Sequence, residues 1–363
     1  MKQLSKIVIT GGPCAGKTAA KQGIKEHFES LGYTVLFVPE TATELISGGV
    51  TPWTCGTVLE YQIYQMHLQS EKERIFESAV QNMQGGKFLI VCDRGMADNK
   101  AYMTKEEFDA ALAHFGWSEV EARDSYDAVF HLTTAAKDAP EHYTTDNNSA
   151  RIETPAQAIE LDDKLIAAWT GHPHLRVIRG ETCFEDKQNR LLAEIDAFLG
   201  EPEPLEIERK FLVAMPDLEN LQRTHGAVGV EIEQTYLIDA EGKKSRIRKR
   251  GHGGKDMYFH TVKTKISDVK RIEVETRITK DEYDTLLQYA DPTRNTVKKT
   301  RYCFVHGGHY FELDVFPFWS DKSLMEIELL DENEPFALPP FVTVIEEVTH
   351  DKRYRNSALA KKE

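Results

Sequence analysis

Between residues 206 and 328, ionic side chains recur at every second position. The sets are Glu206, Glu208 and Lys210; Arg246, Arg248 and Arg250; Lys263 and Lys265; Arg271, Glu273 and Glu275; Glu312 and Asp314; Glu326 and Glu328. Alternate residues of an extended strand share one face, so each set lines one side of its strand. The positions between them are mostly apolar, as at Ile207, Ile247, Val262, Ile272, Val274, Leu313, Val315, Ile327 and Leu329, with Arg209 and Lys249 as exceptions. Like charges side by side on a solvated sheet repel. Four of these six rows nevertheless carry a single sign. Polyphosphate oxygens would neutralise the basic rows, and divalent cations the acidic ones. The alternative is an ordinary antiparallel sheet with one solvated, charged face.

A second constellation lies near the start of the chain. Gly11-Gly12-Pro13-Cys14-Ala15-Gly16-Lys17-Thr18 satisfies GxxxxGK[ST], directly after an expected strand, Ile7 to Thr10, and directly before an expected helix from Lys17. Backbone N–H groups of such a turn (Gly11, Gly12, Gly16) and the positive end of the helix cradle phosphates. Lys17 adds charge at the β and γ positions, and the Thr18 hydroxyl reaches Mg²⁺. The apolar run Phe88 to Cys92 ends in Asp93-Arg94-Gly95, and a carboxylate at that strand tip can hold Mg²⁺ through its waters. Glu40, at the tip of Thr34 to Val38, is open between a substrate or metal contact and a helix N-cap region.

The elements that would carry these groups divide in two. Short apolar strands (Ile7 to Thr10, Thr34 to Val38, Phe88 to Cys92, Ala128 to Leu132, Leu175 to Ile178) alternate with helical stretches, including a long one near Val58 to Met83. That alternation argues for a parallel sheet with helices on both faces. Gly200-Glu201-Pro202-Glu203-Pro204 then stops a helical pattern. Beyond it most segments alternate with period two, with few helices, such as Lys280 to Tyr289. The expected domains are 1–199, a linker at 200–204, and 205–363.

The chain has 363 residues, 40% of them apolar and 29% charged, which suits two globular units. Forty-five Lys and Arg against fifty-nine Asp and Glu leave a formal charge of −14, which repels nucleic acid and anionic membrane over most of the surface. Residues 243 to 271 are the local exception, with eleven Lys and Arg and two Asp. Five scattered cysteines without CxxC spacing argue against a disulfide framework or structural zinc, and no eighteen apolar residues run together. The thirteen histidines, His172 and His174 included, do not form metal-ligand spacings. The expectation is a soluble cytoplasmic protein.

Two resemblances sharpen this. The loop at 11–18, the Pro39-Glu40 strand end, the Asp93-to-Asp98 segment and the Asn148 to Trp169 stretch resemble the AAA-type P-loop family that is similar to nicotinamide riboside kinase, over most of residues 5 to 199. This implies ATP or GTP binding with Mg²⁺ and, as one alternative, small-molecule kinase activity. Such kinases close an arginine-rich lid over the phosphates, whereas Ala135 to Arg151 offers only Lys137 and Arg151, so binding is the firmer expectation there. Glu206-Ile207-Glu208-Arg209-Lys210 fits the ExExK signature of the CYTH superfamily, the triphosphate tunnel metalloenzymes, and the later strands follow in that family's order, including Gln234-Thr235-Tyr236-Leu237. This resemblance spans about 205 to 355 and implies a mainly antiparallel eight-stranded β-barrel around a charged tunnel.

Carried over position by position, Lys210, Arg246, Arg248, Lys263 and Arg301 resemble that family's phosphate ligands, and Glu206, Glu208, Asp314, Glu326 and Glu328 its metal ligands. Arg250, Lys265, Glu273 and Glu275 share the inward faces. The fusion is similar to plant two-domain tunnel enzymes and to the TRPL translocation defect family. The first implies hydrolysis of a triphosphate or pyrophosphate with Mg²⁺ or Mn²⁺. The second implies a GTP- or ATP-regulated module that binds phosphorylated ligands such as phosphoinositide head groups. Five inward carboxylates oppose a purely anionic ligand, which favours the enzyme.

Overall fold

The structure is a computed structural model that describes residues 2–143, 154–180, 184–202, 207–238, 244–265 and 271–362; at 142, 263–265 and 271–274 it describes the backbone only. The chain divides into two compact units, Met1–Ile195 and Asp196–Glu363. That division lies a few residues before the linker read from the sequence.

In the first unit the strands are β1 (Gln3–Thr10), β2 (Tyr33–Val38), β3 (Lys87–Asp93), β4 (Ala128–Leu132) and β5 (Leu175–Ile178), and the helices are α1 (Lys17–Ser30), α2 (Thr41–Ser47), α3 (Val58–Asn82), α4 (Lys105–Phe115), α5 (Glu119–Asp124), α6 (Ala135–Asp138), α7 (Pro155–Trp169) and α8 (Phe184–Leu199). The strands pair in parallel in the order β2-β3-β1-β4-β5. The central strands are continuous apolar runs because both faces are covered: Ile7, Val8, Phe88, Leu89, Ile90 and Phe130 are fully buried. From β1 the chain crosses outward to β2 and afterwards moves the other way. Right-handed crossovers therefore put α1 on one face and α3 and α7 on the other. Gln188 of α8 packs against Gly23 of α1. The α8 helix stops at Leu199, where Gly200 takes a left-handed φ of 72°.

The second unit contains β6 (Ile207–Ala214), α9 (Leu218–His225), β7 (Val228–Ile238), β8 (Lys244–His252), β9 (Lys255–Lys265), β10 (Arg271–Ile278), α10 (Lys280–Leu286), β11 (Val297–His306), β12 (His309–Val315), β13 (Lys322–Leu329), β14 (Val344–Glu347) and α11 (Asn356–Leu359). Its strands form one antiparallel sheet in the order β10-β9-β8-β7-β11-β12-β13-β6-β14. The family resemblance implies eight strands; among the described residues the sheet has nine, with the short β14 at the edge of β6.

Alternation sorts the two faces of this sheet. One face of β6, β11, β12 and β13 contributes Phe211, Val213, Phe304, Phe311, Leu313, Met325 and Ile327 to an apolar core shared with Leu218 and Leu221 of α9. Their alternate neighbours, Lys210, Arg301, Asp314 and Glu326, lie on the opposite face. That face is not solvated: side-chain exposure is 12% for Lys210 and Arg301, 10% for Glu326 and 0% for Asp314. The two exceptions in the pattern have their own partners. Arg209 pairs with Glu347 and lies over Phe211 and Phe336, and Lys249 stands near Glu233 and Asp256.

Candidate active site

The glycine-rich loop leaves the C-terminal tip of β1, the central strand, and runs into α1. Gly11 has φ +142°, and a Cβ there would stand 2.0 Å from the Leu132 carbonyl oxygen, so no side chain fits. Gly16, φ +91°, occupies the N-cap of α1. Because β1 pairs with β3 in the register Ile9↔Asp93, the Asp93 carboxylate is carried to the side of this loop. It is ion-paired there with Lys21, one turn beyond Lys17. Among the described residues the non-glycine residues with positive φ are Cys14, at 56°, and Arg94, at 73°, and both belong to this cluster. Backbone held in so sparse a region collects at functional sites.

Lys17 Nζ donates to the Gly11 carbonyl at 3.1 Å. Burial first, and then the Arg94 guanidinium, pull its pKa down to about 8, against the pull of Asp93, Glu40 and Asp98. Glu40 accepts from Arg94 Nε at 2.6 Å and from the Thr43 hydroxyl at 2.7 Å. Burial alone would raise its pKa; Arg94 and Lys17 outweigh it and hold the carboxyl at about 2. Thr18 is exposed on the first turn of α1, and Arg151 lies outside the described residues.

In the second unit, strand register builds a network of charges. Lys210 stands opposite Glu326, which stands opposite Glu312, while Arg301 stands opposite Asp314. Arg301 donates from Nε and Nη2 to the two oxygens of Asp314, both at 2.7 Å, from Nη2 to Glu326 at 3.0 Å, and from Nη1 to Glu312. Lys210 Nζ reaches Glu326 at 2.7 Å and Glu208 at 2.8 Å. Lys299 donates to Asp314 and lies 5.7 Å from the Phe316 ring centroid.

The pKa shifts record what this crowding does. Burial opposes ionisation of Asp314, yet Arg301 and Lys299 win and hold its carboxyl well below the usual range. Burial, and then the other acids, push Glu312 upward against Arg301. Glu208 is likewise raised by burial and then by Glu326. Burial and Arg301 depress Lys299, whereas Glu326 and Glu208 overcome burial at Lys210 and raise it.

Across the sheet, Arg246, Arg248 and Arg250 share the same face of β8, opposite Tyr236, Gln234 and Ile232 of β7. Arg250 is 2% exposed. Arg248 Nη1 stands 3.6 Å from Glu275, which also accepts from the Thr261 hydroxyl at 2.7 Å. Lys263 faces Glu273 in the β9–β10 register and Lys265 faces Arg271; only their backbones are described. Glu328 stands opposite Glu208, and Glu206 lies outside the described residues. The Lys299 and Glu312 side chains also belong to the network. Lys299 stands at alternate spacing to Arg301, the one signal in the sequence that places it on this face. Glu312 was in the alternating set but resembled none of the family's ligands.

The donor set is oxygen-only, which suits Mg²⁺, Mn²⁺ or Ca²⁺ rather than zinc. Among the described residues no three His, Cys, Asp or Glu side chains group as a ready metal shell. A cavity of about 470 Å³ opens elsewhere, lined by Arg209, Phe211, Pro335, Phe336 and Leu338. It belongs to the apolar face of β6. His172, buried, bonds to the Tyr126 carbonyl at 3.1 Å and accepts from the His174 N–H at 3.0 Å, a structural role.

The model of the AAA domain family matches residues 6–187, and that of the CYTH domain family matches residues 204–345. The chain belongs to both families. The CYTH half is 39% identical over 159 residues to an inorganic triphosphatase of Nitrosomonas europaea, covering 43% of this chain and 96% of that protein. A solved inorganic triphosphatase is 36% identical, covering 44% of this chain and 96% of its own, with a TM-score of 0.31. A deoxyadenosine kinase from M. mycoides with bound dATP is 15% identical, covering 53% of this chain and 99% of its own, with a TM-score of 0.38. The AAA domain is thus the unit that carries the glycine-rich loop, and the CYTH domain carries the charged face. Among the described residues no helix is long and apolar enough to cross a membrane.

Proposed function

We propose that this chain is a two-site phosphate enzyme, in which the CYTH domain hydrolyses a triphosphate or pyrophosphate with a divalent metal and the AAA domain binds ATP or GTP with Mg²⁺. The observation that carries the hydrolase reading is the buried ionic face: Lys210 on β6 and Lys299 and Arg301 on β11 meet carboxylates on β12 and β13 away from water. Its likeness to the Nitrosomonas triphosphatase supports the same reaction class.

Lys210, Arg246, Arg248, Lys263 and Arg301 bind the oxygens of the phosphate chain and offset its charge. Glu206, Glu208, Glu326 and Glu328 hold Mg²⁺ or Mn²⁺. Asp314, whose two oxygens both accept from Arg301, joins that set as the group that aims Arg301. A bound divalent ion supplies Lewis-acid polarisation of the phosphoryl group and an activated water. The protein's part is then positioning and charge stabilisation for in-line displacement, with no covalent intermediate. In the AAA domain, Gly11, Gly12, Gly16 and Lys17 take the nucleotide phosphates, with Arg151 as a lid cation, and Thr18 and Asp93 take the metal. We propose a reducing, cytoplasmic setting, which the scattered cysteines without CxxC spacing support.

Phosphate release from tripolyphosphate with Mg²⁺ or Mn²⁺ tests this. Glu326→Gln is expected to lower the rate at least 100-fold, and Lys17→Ala to leave it unchanged. Loss with Lys17→Ala and none with Glu326→Gln would move the active site to the AAA domain. Metal-independent phosphoinositide capture without phosphate release would favour a binding module.

A further inference from the structure

The glycine-rich loop rests on a buried carboxylate that lies outside the GxxxxGKT sequence itself. Asp162, on α7, is fully buried. Its Oδ1 accepts from the Gly12 N–H at 2.9 Å and the Thr134 N–H at 3.2 Å and lies 2.9 Å from His131 Nε2, and its Oδ2 accepts from Lys137 Nζ at 2.8 Å. His131 Nδ1 is buried with no hydrogen-bond partner, so the ring proton sits on Nε2 and points at Asp162. Every neighbour donates. An ionised carboxylate accepts from all four, having no proton of its own to place. Two further ties run beside it: the Thr134 hydroxyl donates to the Pro13 carbonyl, and the Ala135 N–H to the Cys14 carbonyl at 3.4 Å.

Residues 12 to 14 are thus held from one side by β4, α6 and α7. A glycine-rich turn left loose must lose backbone freedom when a ligand arrives. A turn already pinned loses less, and binds more tightly for that reason.

We propose that Asp162 is a positioning residue for the nucleotide site, which holds the Gly11–Thr18 loop in its phosphate-binding form before nucleotide is present. This rests on the nucleotide-binding reading of that loop. Lys137 is the movable member of the set: it is 22% exposed and also held by the exposed Asp163 at 2.6 Å.

The test is calorimetric titration of the full chain with ATP and with GTP. Asp162→Ala is expected to raise Kd at least tenfold while tripolyphosphate hydrolysis is unchanged. Asp162→Asn, whose Oδ1 still accepts from Gly12 and Thr134, is expected to stay within about threefold of wild type. A residue that merely filled space would not show this rescue. Wild-type affinity in Asp162→Ala, or equal loss in both variants, overturns the proposal. Hydrogen exchange of the unliganded wild-type protein covers the case in which Asp162→Ala does not fold: the Gly12 amide is expected to be strongly protected, and exchange at the rate of an open loop overturns the proposal too. A wild-type chain that binds neither nucleotide refutes the nucleotide reading and this inference with it, whereas binding with an indifferent Asp162 refutes the inference alone.

Discussion

Replacing Arg301 with methionine removes a guanidinium that Asp314, Glu312 and Glu326 share. Methionine keeps much of the length, so the chief loss is charge. Among the described residues, these three carboxylates, 0%, 15% and 10% exposed, would keep Lys299 and Lys210 as counter-charges. Breaking a buried ion pair by removing one partner costs about 3–5 kcal/mol. For a unit of this size each kcal/mol shifts Tm by about 2–4 °C, so the fall is roughly 6–20 °C. Scanning calorimetry of the full chain at pH 8 and pH 5, with and without Mn²⁺, measures it.

The sign of the pH effect follows from the acids left behind. Burial raises the Glu312 pKa, so acidification protonates this carboxyl earlier than an ordinary one. Each carboxyl neutralised lessens the uncompensated negative charge, and the gap between wild type and Arg301→Met narrows as pH falls from 8 to 5. Mn²⁺ should narrow it as well, by taking the place of the lost cation. A gap under about 2 °C at pH 8, or one that widens on acidification, would refute the reasoning that these acids depend on Arg301 for neutralisation.

Two further outcomes concern the nucleotide loop. Lys17 must be protonated to attract phosphate, and its pKa in the free protein is pulled down to about 8, so ATP affinity should be level below that value and fall up to tenfold per pH unit above it. Lys17→Arg should flatten that profile in titrations from pH 6.5 to 9.5, and an unchanged slope would assign it to another group. Gly11→Ala places a Cβ 2.0 Å from the Leu132 carbonyl oxygen in a left-handed conformation, so ATP binding should be lost while tripolyphosphate hydrolysis persists. Retained ATP binding in that variant would mean the loop is free to relax.

Local pattern carries information about which face a residue occupies and which turns need glycine. Hence the strands at Ile7, Phe88 and Ala128, the GxxxxGKT loop and the alternating ionic rows were all legible from the residues in order. The two exceptions in the alternation, Arg209 and Lys249, were legible as exceptions but not explained, since Glu347 and Asp256 come from other strands. Boundaries shifted by a few residues where neighbours extend a ladder: Gln3 to Lys6 join β1 because they pair with Lys87 to Ile90. The ninth strand is four residues long and has weak alternation, so its identity depends on the β6 edge that receives it.

Whether a charged row faces water or a protein interior is a matter of what lies across from it. Period two is the same in both cases, and the answer comes from register: Lys210 meets Glu326, and Arg301 meets Asp314, through pairings between strands distant in sequence. The same limit hid Asp162. An aspartate in the middle of α7 looks like any helical acid, and its place under Gly12 exists because a parallel sheet brings β1 beside β4 and packs α7 against the loop between them, 150 residues away along the chain. Chemistry written in neighbouring residues survives in the linear order, whereas electrostatic partnership across long separations comes into being when the chain folds.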